Sequence, residues 1–145
     1  MQIEIRELRE ADIQALADIE AQTFSMPWSA RSFQTLLENP YCFYFVALAD
    51  GRIVGGAGYT ELCGEANIDN VVVAQSYRNQ GIGQALLQAL IAHGEARRIT
   101  AFTLEVRVSN AAAIHMYEKF GFSSEGIRPG FYERPREDAV IMWRR

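Results

Sequence analysis

The chain has 145 residues, of which 49% are hydrophobic and 22% charged, and its formal net charge is −4. That length predicts one compact domain, residues 1–145, which can bury a core without metal or disulfide staples, and the composition excludes disordered and collagen-like classes. The 14 basic residues are scattered, tightest at Arg97-Arg98 and Arg144-Arg145, which is not the dense stripe of a nucleic-acid binder.

The elements read as mixed α and β. Ile3 and Ile5 alternate with charged residues and open the chain with a strand. Ile13, Leu16 and Ile19 then repeat at helical spacing from Asp12. Ser29 is a good N-cap for a second helix through Phe33, Leu36 and Leu37, which Asn39-Pro40 stops. Strands are expected over Phe43 to Leu48 and Ile53 to Tyr59, with Asp50-Gly51 as their hairpin turn. A third strand runs from Glu65 to Val73, and its end, Val71-Val72-Val73, suits burial on both faces. Gly83 to Arg97 is a helix whose buried stripe is Leu86, Leu87, Leu90, Ile91 and Gly94. A strand follows, with Phe102, Leu104, Val106 and Val108 on one face and Thr103, Glu105 and Arg107 on the other. Asn110 caps a helix through Ala113, Ile114, Tyr117 and Phe120, which Gly121 closes. Strands near Ser123 to Arg128 and Ala139 to Trp143 flank a loop rich in Pro, Gly and charge. The sum is an α+β layered domain, a mixed sheet of about seven strands flanked by about four helices.

Cys42 and Cys63 have neither CxxC nor metal-ligand spacing and are expected as buried free thiols. His93 and His115 lie far apart and are expected in structural or surface roles, so no metal site is expected. Met1 to Glu10 lacks the basic start and apolar core of a secretory signal, and no run approaches ~18 apolar residues. The expectation is a soluble cytoplasmic protein with no membrane or nucleic-acid partner, a monomer or weak dimer.

The strongest chemical signal is Arg78-Asn79-Gln80-Gly81-Ile82-Gly83, between a buried strand and a helix. A helix N-terminus carries N–H groups without intrahelical partners and partial positive charge, and Gly81 and Gly83 let the backbone approach an anion closely. An ordinary tight turn explains the glycine spacing at least as well. Leu86 stands where a dinucleotide fingerprint needs its third glycine, and no Gly-Lys-Ser/Thr is present, so the two commonest phosphate loops are disfavoured.

The sequence resembles the GNAT superfamily of N-acetyltransferases. The resemblance rests on the R-x-x-G-x-G loop opening a helix, on Leu104-Glu105-Val106-Arg107, and on Asn110 to Phe122. It covers nearly the whole chain and is closest to the ribosomal-protein-alanine N-acetyltransferases (RimI type), with Pro27-Trp28-Ser29 and Glu137-Asp138-Ala139 also matching. It implies acetyl-CoA as co-substrate and the N-terminus of a ribosomal protein as acceptor. The backbone of Val71, Val72 and Val73 would hold the acetyl carbonyl. Backbone N–H groups of the Arg78 loop (Asn79, Gln80, Gly81, Ile82, Gly83 and Gln84) would hold the pyrophosphate. Asn110 would contact the cofactor besides capping its helix.

Direct attack of an amine on the thioester needs a base and an acid. Glu105 matches the family's general base, acting through water, although a solvated strand glutamate is the plainer reading of the residue alone. Tyr117 matches the general acid, although its place on an apolar stripe also suits a core tyrosine. Trp28 and Tyr132 are the substrate-side candidates; Trp28 serves equally as a core anchor, and Phe131 stands where a second tyrosine is common. Glu61, Glu65 and Asp69 would favour a positively charged N-terminus, or form a solvated edge. At pH 7 roughly 10–17% of an α-amine is neutral against roughly 0.04% of a lysine, so a modest base suffices for an N-terminus. The alternatives are a GNAT enzyme for a small amine or a lysine, and a CoA-binding module without catalysis.

Overall fold

Asp50-Gly51 takes positive φ at both residues, 49° and 83°, the pair of left-handed conformations that a two-residue type I′ hairpin needs. It joins β2 (Cys42–Ala49) to β3 (Arg52–Leu62), and Cys63-Gly64, with φ 51° and 82°, turns β3 into β4 (Glu65–Val73). The computed structural model describes residues 1–145. Its remaining elements are β1 (Ile3–Glu7), α1 (Ile13–Thr23), α2 (Ala30–Glu38), α3 (Ile82–Ala96), β5 (Ala101–Arg107), α4 (Ala111–Lys119), β6 (Ser123–Tyr132) and β7 (Glu137–Arg144). All seven strands form one sheet in the order β1-β2-β3-β4-β5-β7-β6, antiparallel except between β4 and β5. The layered α+β expectation holds.

Helices cover both faces of the sheet, and β2 shows the division residue by residue. Phe45, Ala47 and Ala49 join the larger core cluster with Leu86, Leu87 and Leu90 of α3. Tyr44, Val46 and Leu48 join a smaller cluster with Leu16 of α1 and Phe33 and Leu36 of α2. The apolar run at the end of β4 has the same cause: Val72 faces the smaller cluster, while Val71 and Val73 pack against the larger.

Two expectations need correction. Cys63 is exposed, because it occupies the tight β3–β4 turn, and Cys42 is half-buried; both are free. The Pro-Gly segment at Pro129-Gly130 is not a loop but part of β6, where the register with β7 is irregular between Arg128 and Tyr132. β6 is an edge strand, so Pro129 removes no ladder hydrogen bond on its open side.

One glycine pair shapes the smaller core. A Cβ on Gly58 would lie 2.3 Å from Tyr44 Cδ2, and one on Gly56 would lie 2.5 Å from its Cε1. These bare positions seat the Tyr44 ring against β3, between the sheet and Phe33, whose ring centroid lies 5.4 Å away in an edge-on contact. Gly58→Ala is expected to overpack this seat and cost about 1–3 kcal/mol, read as a lower urea midpoint at unchanged m value.

Candidate active site

β4 and β5 pair in parallel for only three residues, Glu65 to Asn67 against Ala101 to Thr103. Beyond that point they part, and the gap is walled by Ile68, Asn70 and Val71 on one side and Leu104, Glu105 and Val106 on the other. A strand offers alternate backbone groups to its two neighbours. Ala74 N–H donates to Val54 O on the β3 side. Counting back by twos, Val72 N–H also faces β3, so those of Val71 and Val73 face the gap. Within β4 the register slips at Asp69: Gly58 pairs with Asn70, but Tyr59 pairs with Ile68. This β-bulge re-aims the strand where it leaves β5.

Two cavities meet at the gap, of about 950 Å³ and about 780 Å³. Trp28, Ile68, Asp69, Glu105, Phe131 and Tyr132 line both. Of the residues singled out from sequence, Glu105, Tyr117, Val71, Asn110, Trp28 and Tyr132 all line the larger one. Glu105 Oε1 lies 3.8 Å from Arg128 Nη2. Tyr117 is 7% exposed, and its hydroxyl makes no hydrogen bond to another residue. Burial, and secondarily the nearby Tyr132, push its pKa well above the usual tyrosine value. Asn110 is a true N-cap, its Oδ1 accepting from Ala113 N–H at 3.2 Å, so its Nδ2 remains for other contacts.

Tyr132 is held from below. The Arg107 guanidinium lies 4.4 Å from its ring centroid. The same guanidinium donates to Pro135 O at 3.0 Å, Glu133 O at 3.1 Å and Glu137 Oε1 at 3.1 Å, while Glu137 Oε2 accepts from Ser109 N–H. Arg107 and Glu137 thus clamp the β6–β7 turn to β5. Both sit in sequence blocks that carried the family resemblance, yet no role for them follows from sequence.

Trp28 belongs to the wall and to the core at once, packing at 5.4 Å on Phe33 while facing both cavities. A residue that sequence reasoning missed holds it. Glu20 is 1% exposed. Its Oε1 accepts from Trp28 N–H at 3.0 Å, and its Oε2 accepts from Asn70 Nδ2 at 2.9 Å. Asn70 Oδ1 in turn accepts from Tyr44 O–H at 2.6 Å. Burial raises the Glu20 pKa, opposed by these two hydrogen bonds. The relay ties the segment between α1 and α2 to β4 at the parting point. The signal for it was one glutamate interrupting the apolar face of α1, next to Ile19.

The Arg78–Gly83 loop lies outside both cavities. A short 3₁₀ turn, Gln75–Tyr77, precedes it, Asn79 takes φ 61°, and Gly81 is the helix N-cap at φ 81° with no side chain to cap α3. Ala85 N–H makes the first intrahelical bond, to Gly81 O. The N–H groups of Gly81, Ile82, Gly83 and Gln84 therefore lack helical partners, as an anion site requires. Gly83 is helical and sits against α4: a Cβ there would make an ordinary contact with Met116 Sδ, at 3.4 Å. Met116 also lines the larger cavity, so one side chain separates loop and cavity. Ile82 is buried and offers only its backbone. Arg78 Nε donates to Val73 O at 3.3 Å, bracing the loop on β4.

The remaining candidates sort clearly. Of the three acidic residues near β4, only Asp69 lines the cavities; Glu61 pairs with Arg97 at 2.7 Å and Glu65 is exposed. His93 is structural, its Nδ1 2.8 Å from Tyr59 Oη, and His115 is exposed.

Residues 13–122 match the acetyltransferase (GNAT) family. The chain is 39% identical to the putative ribosomal protein bS18-alanine N-acetyltransferase of Bacillus subtilis, over 96% of this chain and 93% of that protein. It is 37% identical to the bS18-alanine N-acetyltransferase of Escherichia coli K12, over 95% and 94%. The crystal structure of the Escherichia coli ribosomal-protein-S18-alanine N-acetyltransferase superposes with a TM-score of 0.91, covering 99% of this chain and 93% of that one.

Glu20→Ala is expected to leave two buried donors, Trp28 N–H and Asn70 Nδ2, without acceptors, and to cost about 2–4 kcal/mol in urea unfolding. Glu20→Gln, which retains one acceptor for Trp28, is expected to lose less.

Proposed function

This chain belongs to the acetyltransferase (GNAT) family, and we propose that it uses acetyl-CoA to acetylate the N-terminal alanine of ribosomal protein bS18. The observation that carries the reading is that Glu105 and Tyr117, from β5 and α4, line one cavity opened where β4 leaves β5. High identity over nearly full length to two proteins named for this activity supports the acceptor. The fold is that of GNAT acyl-CoA N-acyltransferases. Residues 1–145 act as a single domain, and a ribosomal-protein substrate sets the work in the cytoplasm. No helix is long and apolar enough to cross a membrane.

The geometry supports the following division of roles. Unpartnered N–H groups from Gly81 to Gln84 take the pyrophosphate of the donor, with Asn79 and Gln80 flanking. The donor's acetyl carbonyl lies along β4, where the N–H groups of Val71 and Val73 support the oxyanion that forms on attack. Side-chain identity matters little there, and Val72 serves through its packing. The acceptor nitrogen gives its proton, through water, to Glu105. Tyr117 protonates the departing thiolate, and its raised pKa keeps the hydroxyl protonated for that task. Asn110 Nδ2 faces the donor, and Trp28 and Tyr132 wall the acceptor side.

Incubation of the protein with acetyl-CoA and an Ala-initiated peptide is expected to release free thiol. A peptide with a blocked N-terminus and a free lysine should release almost none; the reverse preference would overturn the acceptor assignment. Glu105→Gln and Tyr117→Phe should each slow turnover by roughly 10²–10⁴ with acetyl-CoA binding unchanged, and unchanged rates in both would overturn the roles.

The pH profile carries a sign. kcat/KM should rise toward the α-amine pKa of about 7.7–8.0 as the attacking nitrogen deprotonates. Because burial raises Tyr117 above the usual tyrosine value of 10.0, no decline from loss of the acid is expected below pH ~10. A decline near pH 8 that disappears in Tyr117→Phe would contradict the upward shift of the Tyr117 hydroxyl.

A further inference from the structure

We propose that Asp69 is the docking group for the protonated α-amine of the incoming acceptor. This rests on the reading of an N-terminal amine as acceptor and adds the residue that receives it. Asp69 is the extra residue of the β4 bulge, opposite neither Gly58 nor Tyr59 of β3. Asn67 and Asp69 share the strand face turned toward α2, where Thr35 and Leu36 line the smaller cavity with them. Two neutral donors fix the carboxylate: Thr60 O–H at 2.5 Å to Oδ2 and Asn67 Nδ2 at 2.7 Å to Oδ1.

Its charge is what remains unanswered. Three carboxylates nearby have a cation: Glu105 has Arg128 at 3.8 Å, Glu61 has Arg97 at 2.7 Å, and Glu137 has Arg107 at 3.1 Å; Glu20 has none, but it is 1% exposed with its oxygens taken by Trp28 N–H and Asn70 Nδ2. Asp69 forms no ion pair. Desolvation raises its pKa, opposed by the Thr60 and Asn67 hydrogen bonds. A partly desolvated carboxylate without a counter-charge is costly, and a cationic ligand relieves that cost. Asp69, like Glu105, lines both cavities where they meet. An Ala N-terminus reaches the protein mostly as ammonium at pH 7. The two carboxylates therefore divide the work: Asp69 receives the ammonium on arrival, and Glu105, already partnered by Arg128, draws off the proton at the gap.

The test is binding, not turnover. With the protein saturated by CoA, an Ala-initiated peptide and its des-amino analogue, in which propionyl replaces alanyl, are titrated calorimetrically. The wild type should bind the amino peptide about 10- to 100-fold more tightly, the range of a charge-assisted hydrogen bond. Asp69→Asn should bind both alike, and Asp69→Ser provides the same comparison if Asn is not tolerated. Glu105→Gln should keep the preference. Retention of the preference in the Asp69 variants, or its loss in Glu105→Gln alone, would overturn the assignment. A wild type that acetylates the peptide without preferring it over the analogue sinks this inference and leaves the acceptor reading intact. A wild type that neither acetylates nor binds N-terminal peptides removes both.

Discussion

The parting of β4 from β5 is the constraint on which the rest of the structure depends. Two parallel neighbours in a sheet normally exchange hydrogen bonds along their length, and backbone groups left unpaired in a protein interior are costly. Here the ladder stops after Asn67 and Thr103. The unpaired groups beyond it are tolerable only because the gap is open to solvent or ligand. The site is therefore less an addition to the fold than an unfinished piece of sheet. The antiparallel β3 and β7 on either side keep the two free edges in place.

Keeping that gap open requires the layers to hold β4 from both faces. On the α3 face, Val71 and Val73 pack against the larger core and Ile82 buries the start of the helix. On the α1–α2 face the hold is polar: Tyr44, Asn70, Glu20 and the Trp28 amide form one chain of hydrogen bonds. A polar tether suits this position. The Asp69 bulge breaks the alternation of β4 and turns Asn70 to this side, where an apolar side chain would be held by packing alone. A hydrogen-bonded carboxylate fixes direction as well as distance, at the cost of burying a charge with no cation. Gly56 and Gly58 complete the arrangement by letting the Tyr44 ring lie close to β3.

Local signals made much of this legible. Asp50-Gly51, Ser29, Asn110 and Gly121 each act within a few residues of chain, and all do in the structure what their residue types require. The proposed donor loop is legible for the same reason, since a helix start and two glycines are contiguous. Errors and omissions fall where the cause is distant. Cys63 is exposed because a turn, not a strand, contains it. Pro129-Gly130 stays in β6 because that strand is an edge, which only the sheet order reveals. Glu20 reads as an interruption of an amphipathic helix until Asn70, fifty positions away, is brought beside it.

The same logic explains why donor and acceptor are unequal in sequence. On the proposed reading, acetyl-CoA meets backbone: helix N–H groups and strand N–H groups that any side chain can accompany, provided the glycines are placed. The proposed acceptor site draws on side chains from four separate stretches that line both cavities: Trp28 before α2, Asp69 in the β4 bulge, Glu105 on β5 and Tyr132 on β6. Their charges are sorted by pairing rather than by position along the chain. Arg107 and Glu137 neutralise each other while clamping the turn below Tyr132, and Arg128 answers Glu105. At the junction of the two cavities the Asp69 carboxylate has hydrogen bonds from Thr60 and Asn67 but no cation. On the proposed reading, selection among amines falls to this carboxylate, whose surroundings exist only once all these pairings are formed.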